Sequence, residues 1–552
     1  MSKAMATGTE TASARPTPKR PPPPSRARRA PPRLVLDGRL GDAAVVVGPA
    51  LLAAALCLVG ITSRSLGFDE SATAAIASQH GAALRHAIAH DGGNMAGYYV
   101  FVHALMSLFG RGLLVLRLPS AIAIAAAVAV TGMLGLRMFD RRTALAAALL
   151  TAVTVSLVFW GQSARSYALL VAFVSASFLA FIALVDRGAD APAPGGVWKA
   201  WLAYVLFTTL AMYMSLMAAP VVVAQLATLH WWRRRRGRAV AAAVIVIGAL
   251  SIPLVLLATA RGSGQLSWVS SPAFVDLEQV LQAITGAGLQ PNIHATATTF
   301  VLLWATVAGL LAIAAAIVIA WRRPSQRHGV FGPSLLLSWL VVPLFLAWVE
   351  SRVAQPLFLP RNLIYGVPAA ALLLAWGLTR RRVAPAIGLV CGVGLLALRA
   401  LQVAPSYGVS PEDWRGATAF VLQHARPGDC VLFYPSDGRM AFQYYLSSHT
   451  SSRPLPVLAP RPVLPAAPWS QIGIYIEDYA VPSPAMTARL ASSCPRMWFI
   501  STHQGRRGGS PAARANYYRY IGLRTALRAG YLEHHVRLFG YASAVRVELL
   551  GR

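Results

Sequence analysis

Apolar residues in this 552-residue chain fall in long blocks rather than in alternation. Runs of about 17 to 24 residues with almost no interior charge recur from 43 to 402, each near the ~20 residues a helix needs to cross a ~30 Å hydrocarbon core. The blocks predict eleven spans: 43–61, 118–138, 143–160, 166–186, 198–213, 216–232, 239–259, 297–320, 334–349, 362–379 and 384–402. The apolar stretch 98–109 is too short for a span and is expected as an interfacial helix. Beyond residue 402 the pattern shortens. Helix signals at 411–424, 484–493 and 513–529 alternate with strand signals at 430–435, 496–502 and 542–550, which suggests a small α/β domain.

Composition sharpens this picture. A chain that is 56% hydrophobic and 13% charged, with mean hydropathy +0.53, is too apolar for a soluble domain of this length. The net charge of +30 invites a nucleic-acid reading, but its placement argues otherwise. Arg137, Arg141 and Arg142, Arg233 to Arg236 with Arg238, Arg322, Arg323 and Arg327, and Arg380 to Arg382 all sit in short connectors between apolar blocks. Positive-inside topology predicts that placement, so no nucleic-acid partner is expected. Leaving 98–109 out of the spans gathers every dense Arg cluster on the cytoplasmic side together with the basic N-terminus. Eleven crossings then put the C-terminal domain outside. Residues 1–40, rich in Pro and Arg, read as a disordered cytoplasmic tail. The expected architecture is therefore a polytopic α-helical membrane protein with about eleven transmembrane helices over 41–402, a first outer loop at 62–117, and an extracytoplasmic α/β domain over 403–552.

Of four cysteines, Cys57 and Cys391 lie in apolar blocks, and no pair has metal-ligand spacing. Cys430 opens one predicted strand and Cys494 precedes another. If those strands are parallel neighbours the thiols can meet in an oxidising compartment; the sequence leaves the pairing open.

The predicted outer segments 62–117, 161–166, 260–296 and 350–361 carry Arg64, Arg85, Arg111, Arg117, Arg165, Arg261, Arg352 and Arg361, against the positive-inside bias. An anionic lipid phosphate is one reason for a cation there; snorkelling to the headgroups is the other. Gly67-Phe68-Asp69-Glu70 follows the first span directly. Two adjacent carboxylates at the membrane surface read either as a helix cap or as reactive groups, and both readings can hold together. His90-Asp91-Gly92-Gly93-Asn94 leads into Tyr98-Tyr99 and His103, Arg117-Leu118-Pro119-Ser120 enters the second span, and Gln162-Ser163-Ala164-Arg165-Ser166-Tyr167 joins the third and fourth. Acids, cations, amides and phenols gathered at one predicted membrane level suggest acid/base chemistry on a phosphate-bearing substrate.

The order FDE-S-AT, HDGGN-x3-YY, LRLPS, QSARSY, LPRNLIYGVP and EDWRGATAFVLQHARPGD, spread over about 43–435, resembles the GT-C superfamily. In particular it is similar to the family 39-like branch common in actinobacteria, related to protein O-mannosyltransferases and aminoarabinose transferases. The resemblance implies a membrane glycosyltransferase that passes a sugar from a polyprenyl-phosphate donor to an acceptor hydroxyl on the outer face of the plasma membrane. It implies Asp69 as base with Glu70 beside it, and Arg165, Arg352 or Arg361 on the donor phosphate. His90, Asp91, Asn94, Tyr98, Tyr99, Arg117, Gln162 and Tyr167 complete the expected substrate-binding set. Mannose and arabinofuranose are the expected sugars, and a lipid-linked glycan, a glycolipid or a protein the acceptor. Some relatives carry a second acidic residue where this chain reads QSARSY, so no metal ligand set is assigned, although a divalent ion is left open. Many have a His where this chain reads Tyr213-Met214-Ser215. Two other classes stay in view: a lipid or solute transporter, which would favour broken helices and internal repeats, and a non-catalytic assembly partner.

Overall fold

A computed structural model of the protein describes residues 33–185, 195–262, 269, 271–289, 297–323, 330–380, 383–452, 459–466, 483–541 and 543–552. The chain divides into two compact units, Met1–Gly41 and Asp42–Arg552. Residues 1–32 of the expected basic tail lie outside the described residues, and Arg33 starts the first helix. The helices in order are α1 Arg33–Leu58, α2 Phe68–Ala77, α3 Gly81–His90, α4 Ala96–Phe109, α5 Leu113–Met138, α6 Arg141–Ala152, α7 Val155–Gly161, α8 Tyr167–Val185, α9 Gly195–Met214, α10 Ala219–Leu226, α11 Leu229–Arg261, α12 Phe274–Thr285, α13 Ala297–Arg322, α14 Phe331–Val353, α15 Pro360–Leu363, α16 Val367–Thr379 and α17 Pro385–Ser406.

Among the described residues nine helices are long and apolar enough to cross a membrane, and the pair α6–α7, bent by 59°, makes a tenth. These ten coincide with ten of the eleven predicted spans. The bend occurs where Val153 and Thr154 interrupt the helical ladder. Arg399 of α17, fully buried, donates there to the Leu150 carbonyl (2.8 Å) and the Thr154 hydroxyl (3.1 Å), so the broken end is not left unsatisfied. The predicted span 216–232 differs: it divides into a short apolar helix over Leu216–Leu226 and the first turn of α11. Ser215 caps its start by accepting from Met217 N–H, and the Thr228 hydroxyl bonds back to the Gln225 carbonyl at its end. The stretch 98–109 lies in α4, whose 14 residues are short for a span.

The first loop folds as α2, α3 and α4. Gly92 and Gly93 turn the chain between α3 and α4 with φ of 67° and 71°. A Cβ on Gly93 would lie 2.8 Å from that of Leu257, so the second glycine also lets the loop close on α11.

The C-terminal domain adds helices α18 Trp414–His424, α19 Gly438–Ser452, α20 Pro484–Ser493 and α21 Pro511–Arg528. They surround a sheet of β1 Cys430–Tyr434, β2 Arg461–Leu464, β3 Arg496–Ser501, β4 Leu532–Phe539 and β5 Val545–Gly551. Its strand order is β2-β1-β3-β5-β4. β1 runs parallel to β2 and β3, and the other pairings are antiparallel. The condition on the thiols is thus met: Cys430 pairs with Met497 in the ladder, and a disulfide joins Cys430 to Cys494 with the Cα atoms 5.8 Å apart.

This domain docks on the first loop through backbone groups. The Tyr445 hydroxyl accepts from Leu66 N–H at 2.6 Å, and the Arg415 N–H donates to Ser65 Oγ at 2.9 Å. The Arg415 guanidinium donates to the carbonyls of Thr62 and Ser63, and Tyr444 to that of Arg111.

The disulfide spans 64 residues, for which loop-closure entropy gives about 4 kcal/mol. Replacing Cys430 and Cys494 together with Ser should bring proteolytic cleavage of the C-terminal region in the full-length protein to clearly lower denaturant. An unchanged cleavage midpoint would contradict a stabilising cross-link.

Candidate active site

Asp69 and Glu70 occupy the first turn of α2, where the helix dipole favours negative charge. Neighbours on a helix point about 100° apart, so the two carboxylates leave in different directions. Glu70 turns inward. Arg117 grips it side-on, Nε to Oε1 at 2.9 Å and Nη2 to Oε2 at 2.8 Å. The N–H groups of Ala164 (2.7 Å) and Gly67 (3.2 Å) also donate to it. The other Arg117 hydrogens go to the carbonyls of Ile61, Arg64 and Ser65 at 2.9, 3.0 and 3.1 Å. Burial pushes the Glu70 carboxyl up, but Arg117 and the Ala164 N–H outweigh it and hold it below the usual carboxylate range. Glu70 and Arg117 were both expected at the substrate. The geometry gives their hydrogen-bonding capacity to each other and to the backbone, which is a bracing role.

Asp69 faces the other way. Arg361 Nη1 donates to its Oδ2 at 2.9 Å, and Arg165 Nη2 stands 3.9 Å from the same oxygen. Arg165 is tied to α2 as well, donating to the Asp69 carbonyl (3.2 Å) and the Thr73 hydroxyl (3.4 Å). A third of the Asp69 side chain, 34%, stays accessible. Burial pushes its carboxyl up, but Arg165, Arg361 and His503 together draw it below the ordinary range.

The turn carrying Arg165 is held from several sides. The Gln162 amide donates to the Val59 carbonyl at 2.6 Å, and Arg64 donates to the carbonyls of Phe159 and Gln162. Tyr167 packs edge-on to Trp160 with centroids 4.6 Å apart, and Arg165 lies 5.7 Å above the Tyr167 ring. Gln162 and Tyr167 therefore place Arg165 and do not themselves bond Asp69.

Asp91 follows α3, buried, and accepts from the Tyr99 hydroxyl at 2.9 Å. Burial pushes its carboxyl up to about 7, against the pull of Arg165 and Tyr99 and with the push of Asp69. Tyr98 is fully buried. His90 stacks near His86 at 6.4 Å and Asn94 is half-buried in the α3–α4 turn; neither is bonded to Asp69. Arg352 is exposed and lies 5.3 Å over the Trp348 ring, so Arg361 and Arg165, not Arg352, are the cations at Asp69. Among the described residues no three His, Cys, Asp or Glu side chains converge as a metal site.

Sequence reasoning missed two contributors from the C-terminal domain. Glu412 accepts the Phe68 N–H at 2.8 Å, capping α2, and His503 lies 3.4 Å from Glu412. Glu412 stands within the quoted EDWRG motif without an assigned role; only the fold brings His503 to it.

No family model and no curated protein matches the chain. Solved structures do. The chain is similar to the archaeal oligosaccharyltransferase AglB from Archaeoglobus fulgidus in complex with an inhibitory peptide and a dolichol-phosphate, at 13% identity and TM-score 0.53, over 89% of this chain and 72% of that one. The apo form of the Archaeoglobus fulgidus oligosaccharyltransferase aligns at 12% identity and TM-score 0.52, over 91% and 74%. ArnT from Cupriavidus metallidurans bound to undecaprenyl phosphate aligns over 91% and 97% of the two chains at 14% identity, with TM-score 0.48. The oligosaccharyltransferase alignments show a shared fold over about nine-tenths of this chain, whose multi-pass helical membrane bundle is followed by a C-terminal domain built on a sheet.

Breaking one side of the buried brace leaves an uncompensated charge, so Glu70→Ala should destabilise the protein by about 3–5 kcal/mol. Asp69→Asn, at a third-exposed site, should leave the thermal midpoint nearly unchanged; similar losses in both variants would refute the division of roles. Asp91 gives a pH signature. The folded chain keeps its proton up to about pH 7, whereas an ordinary aspartate releases it near 3.8, so this group contributes a loss of stability as pH rises through that window. The thermal midpoint of Asp91→Asn relative to wild type should therefore rise between about pH 5 and about pH 8; a constant difference would count against it.

Proposed function

We propose that this chain is a membrane glycosyltransferase that moves a sugar from a polyprenyl-phosphate donor to the hydroxyl of a cell-envelope acceptor, on the outer face of the plasma membrane. The observation that carries the reading is the Asp69 carboxylate held at 2.9 Å by Arg361 and at 3.9 Å by Arg165. Two guanidiniums and one carboxylate leave a net positive site, and a phosphodiester donor brings the single negative charge that balances it. Donor phosphate competes with Asp69 for Arg361 and Arg165. Binding it loosens the grip on the carboxylate, and Asp69 becomes a stronger base as the substrate arrives.

The acceptor oxygen then attacks the anomeric carbon while Asp69 takes its proton. The bond from that carbon to the phosphate oxygen breaks, and the phosphate departs with the electron pair, stabilised by the two arginines. One displacement inverts the anomeric centre. In this reading Asp91, held by the Tyr99 hydroxyl and neutral below about pH 7, exchanges hydrogen bonds with sugar hydroxyls. Glu70, Arg117, Gln162 and Tyr167 position these groups. The complex of the similar oligosaccharyltransferase with a dolichol-phosphate supports the donor class. Mannose and arabinofuranose are the sugars to test first. The N-terminus is cytoplasmic and the C-terminal domain extracytoplasmic in this reading.

The test is purified full-length protein with radiolabelled decaprenyl-phosphate mannose or arabinofuranose and envelope lipid extract. Release of decaprenyl phosphate with labelled product is expected. Asp69→Asn and Arg361→Ala should each reduce kcat/KM by about 100-fold or more at unchanged thermal stability. Donor movement across vesicles without sugar release would mark a transporter, and binding alone an assembly partner; a fully active Asp69→Asn would sink the base assignment.

A further inference from the structure

In the C-terminal sheet, β1 lies between two parallel neighbours, β2 and β3. The crevice outside the carboxyl ends of strands at such a reversal is where α/β sheets gather functional side chains. The chain leaves β3 through Thr502 into His503, whose φ of 47° places a non-glycine residue in the left-handed region. The imidazole lies against the Phe68 ring with centroids 5.1 Å apart, and its Nε2 is 3.4 Å from Glu412 Oε1. The Thr502 hydroxyl is 3.3 Å from Nδ1. Glu412 is fixed in turn, because its Oε2 accepts both the Phe68 N–H and the Trp414 Nε1–H at 2.8 Å. Phe68 directly precedes Asp69.

These contacts do more than dock a domain. A docking contact is served by a covered side chain, and Glu412 is covered, with 9% of its side chain exposed. His503 keeps 45% of its side chain open beside it. Arg165 and Arg361 reach Asp69 from the membrane bundle, whereas the imidazole borders α2 from the C-terminal domain.

We propose that the Glu412–His503 pair completes the transfer site from the C-terminal domain, with His503 holding the acceptor hydroxyl against the Asp69 carboxylate and Glu412 orienting the imidazole. This rests on the transferase reading and assigns the two sides of the site: donor phosphate to the bundle arginines, acceptor to the C-terminal domain. Glu412 is a positioning residue, because it acts through His503 and through the capped end of α2. Glu412 stands against the imidazole, and Asp69, with its partners Arg165 and Arg361, directly follows the Phe68 on which the ring packs. His503 is also among the groups that lower the Asp69 carboxyl, after Arg165 and Arg361.

Two measurements on full-length protein test it. The protonation midpoint of Asp69, read as the 13C-aspartate infrared band that Asp69→Asn removes, should rise in His503→Ala and His503→Gln, since both delete a group that lowers the Asp69 carboxyl. In turnover of decaprenyl-phosphate mannose or arabinofuranose with envelope lipid extract, both variants should raise the apparent KM for the extract about 10-fold or more and leave the donor KM unchanged, as expected for a lost hydrogen bond to a charged or reacting group. Glu412→Gln should shift the extract KM in the same direction by less. An unmoved Asp69 midpoint together with an unmoved extract KM overturns the proposal, and so does an equal loss for donor and extract, which would mark a purely structural role. A wild-type protein that turns over none of these donors overturns the transferase reading instead. The infrared midpoint then still decides, by rising or staying constant, whether His503 belongs to the site of Asp69.

Discussion

The buried ion pair between Glu70 and Arg117 is the constraint from which the rest of the site follows. Arg117 has no accessible surface, and taking an isolated guanidinium out of water is prohibitive unless its charge and its hydrogens are matched. The side-on Glu70 carboxylate matches the charge, and three backbone carbonyls take the remaining hydrogens. Glu70 in turn accepts from Ala164, in the turn that carries Arg165. One pair therefore fixes the rotation of α2, the entry of α5 and the α7–α8 turn at once. Asp69, one residue away, is left on the adjacent face with two cations opposite it. Adjacent carboxylates thereby acquire different surroundings: Glu70 is held by Arg117 and by backbone N–H groups, whereas Asp69 faces Arg361 and Arg165 and stays a third exposed.

The same economy appears in the segment between α1 and α2. Residues 61–66 have no helical or strand ladder, so their carbonyls need partners wherever the segment is covered. Arg117 supplies them from the bundle at Ile61, Arg64 and Ser65, and Arg415 supplies them from the C-terminal domain at Thr62, Ser63 and Arg64. The C-terminal domain is thus part of what shapes the first loop. Its Glu412 caps the helix that bears Asp69, so the seating of the domain bears on the first turn of that helix.

Much of this was legible in the sequence, for reasons that differ by element. The spans were legible because a block of about 20 apolar residues has few other uses. β1 and β3 were legible as apolar runs because β1 is buried throughout and β3 nearly so. β4, Leu532–Phe539, was not, because it is an exposed edge strand whose Glu533, His534, His535 and Arg537 break any alternation. β2 is four residues long with a proline at its second position. At the site, the sequence offered the carboxylates and cations but could not show which of them pair with which. Glu70 and Arg117 are 47 positions apart, and only the fold shows that they pair with each other. Arg352 and Arg361 look alike as cations of one predicted loop, yet one rests on Trp348 and the other on Asp69.

Docking also constrains the topology. Arg415 binds the carbonyls of Thr62 and Ser63, before α4, and Tyr444 binds that of Arg111, after it. One domain cannot touch both ends of a helix that crosses the membrane, so α4 begins and ends on the same face, as its 14 residues suggest. The same domain follows α17, so an even number of crossings must separate Arg111 from Ser406. Helices α5, the bent α6–α7 pair, α8, α9, α11, α13, α14, α15–α16 and α17 provide nine. The remaining apolar helix between them, Leu216–Leu226, would bring the number to ten. The Tyr213 hydroxyl bonds the Leu250 carbonyl, 21 residues beyond Leu229 along α11, a rise of about 30 Å. The segment from 214 to 229 returns across that height. A helix too short to qualify by length alone thus stands where the apolar pattern predicts the span 216–232.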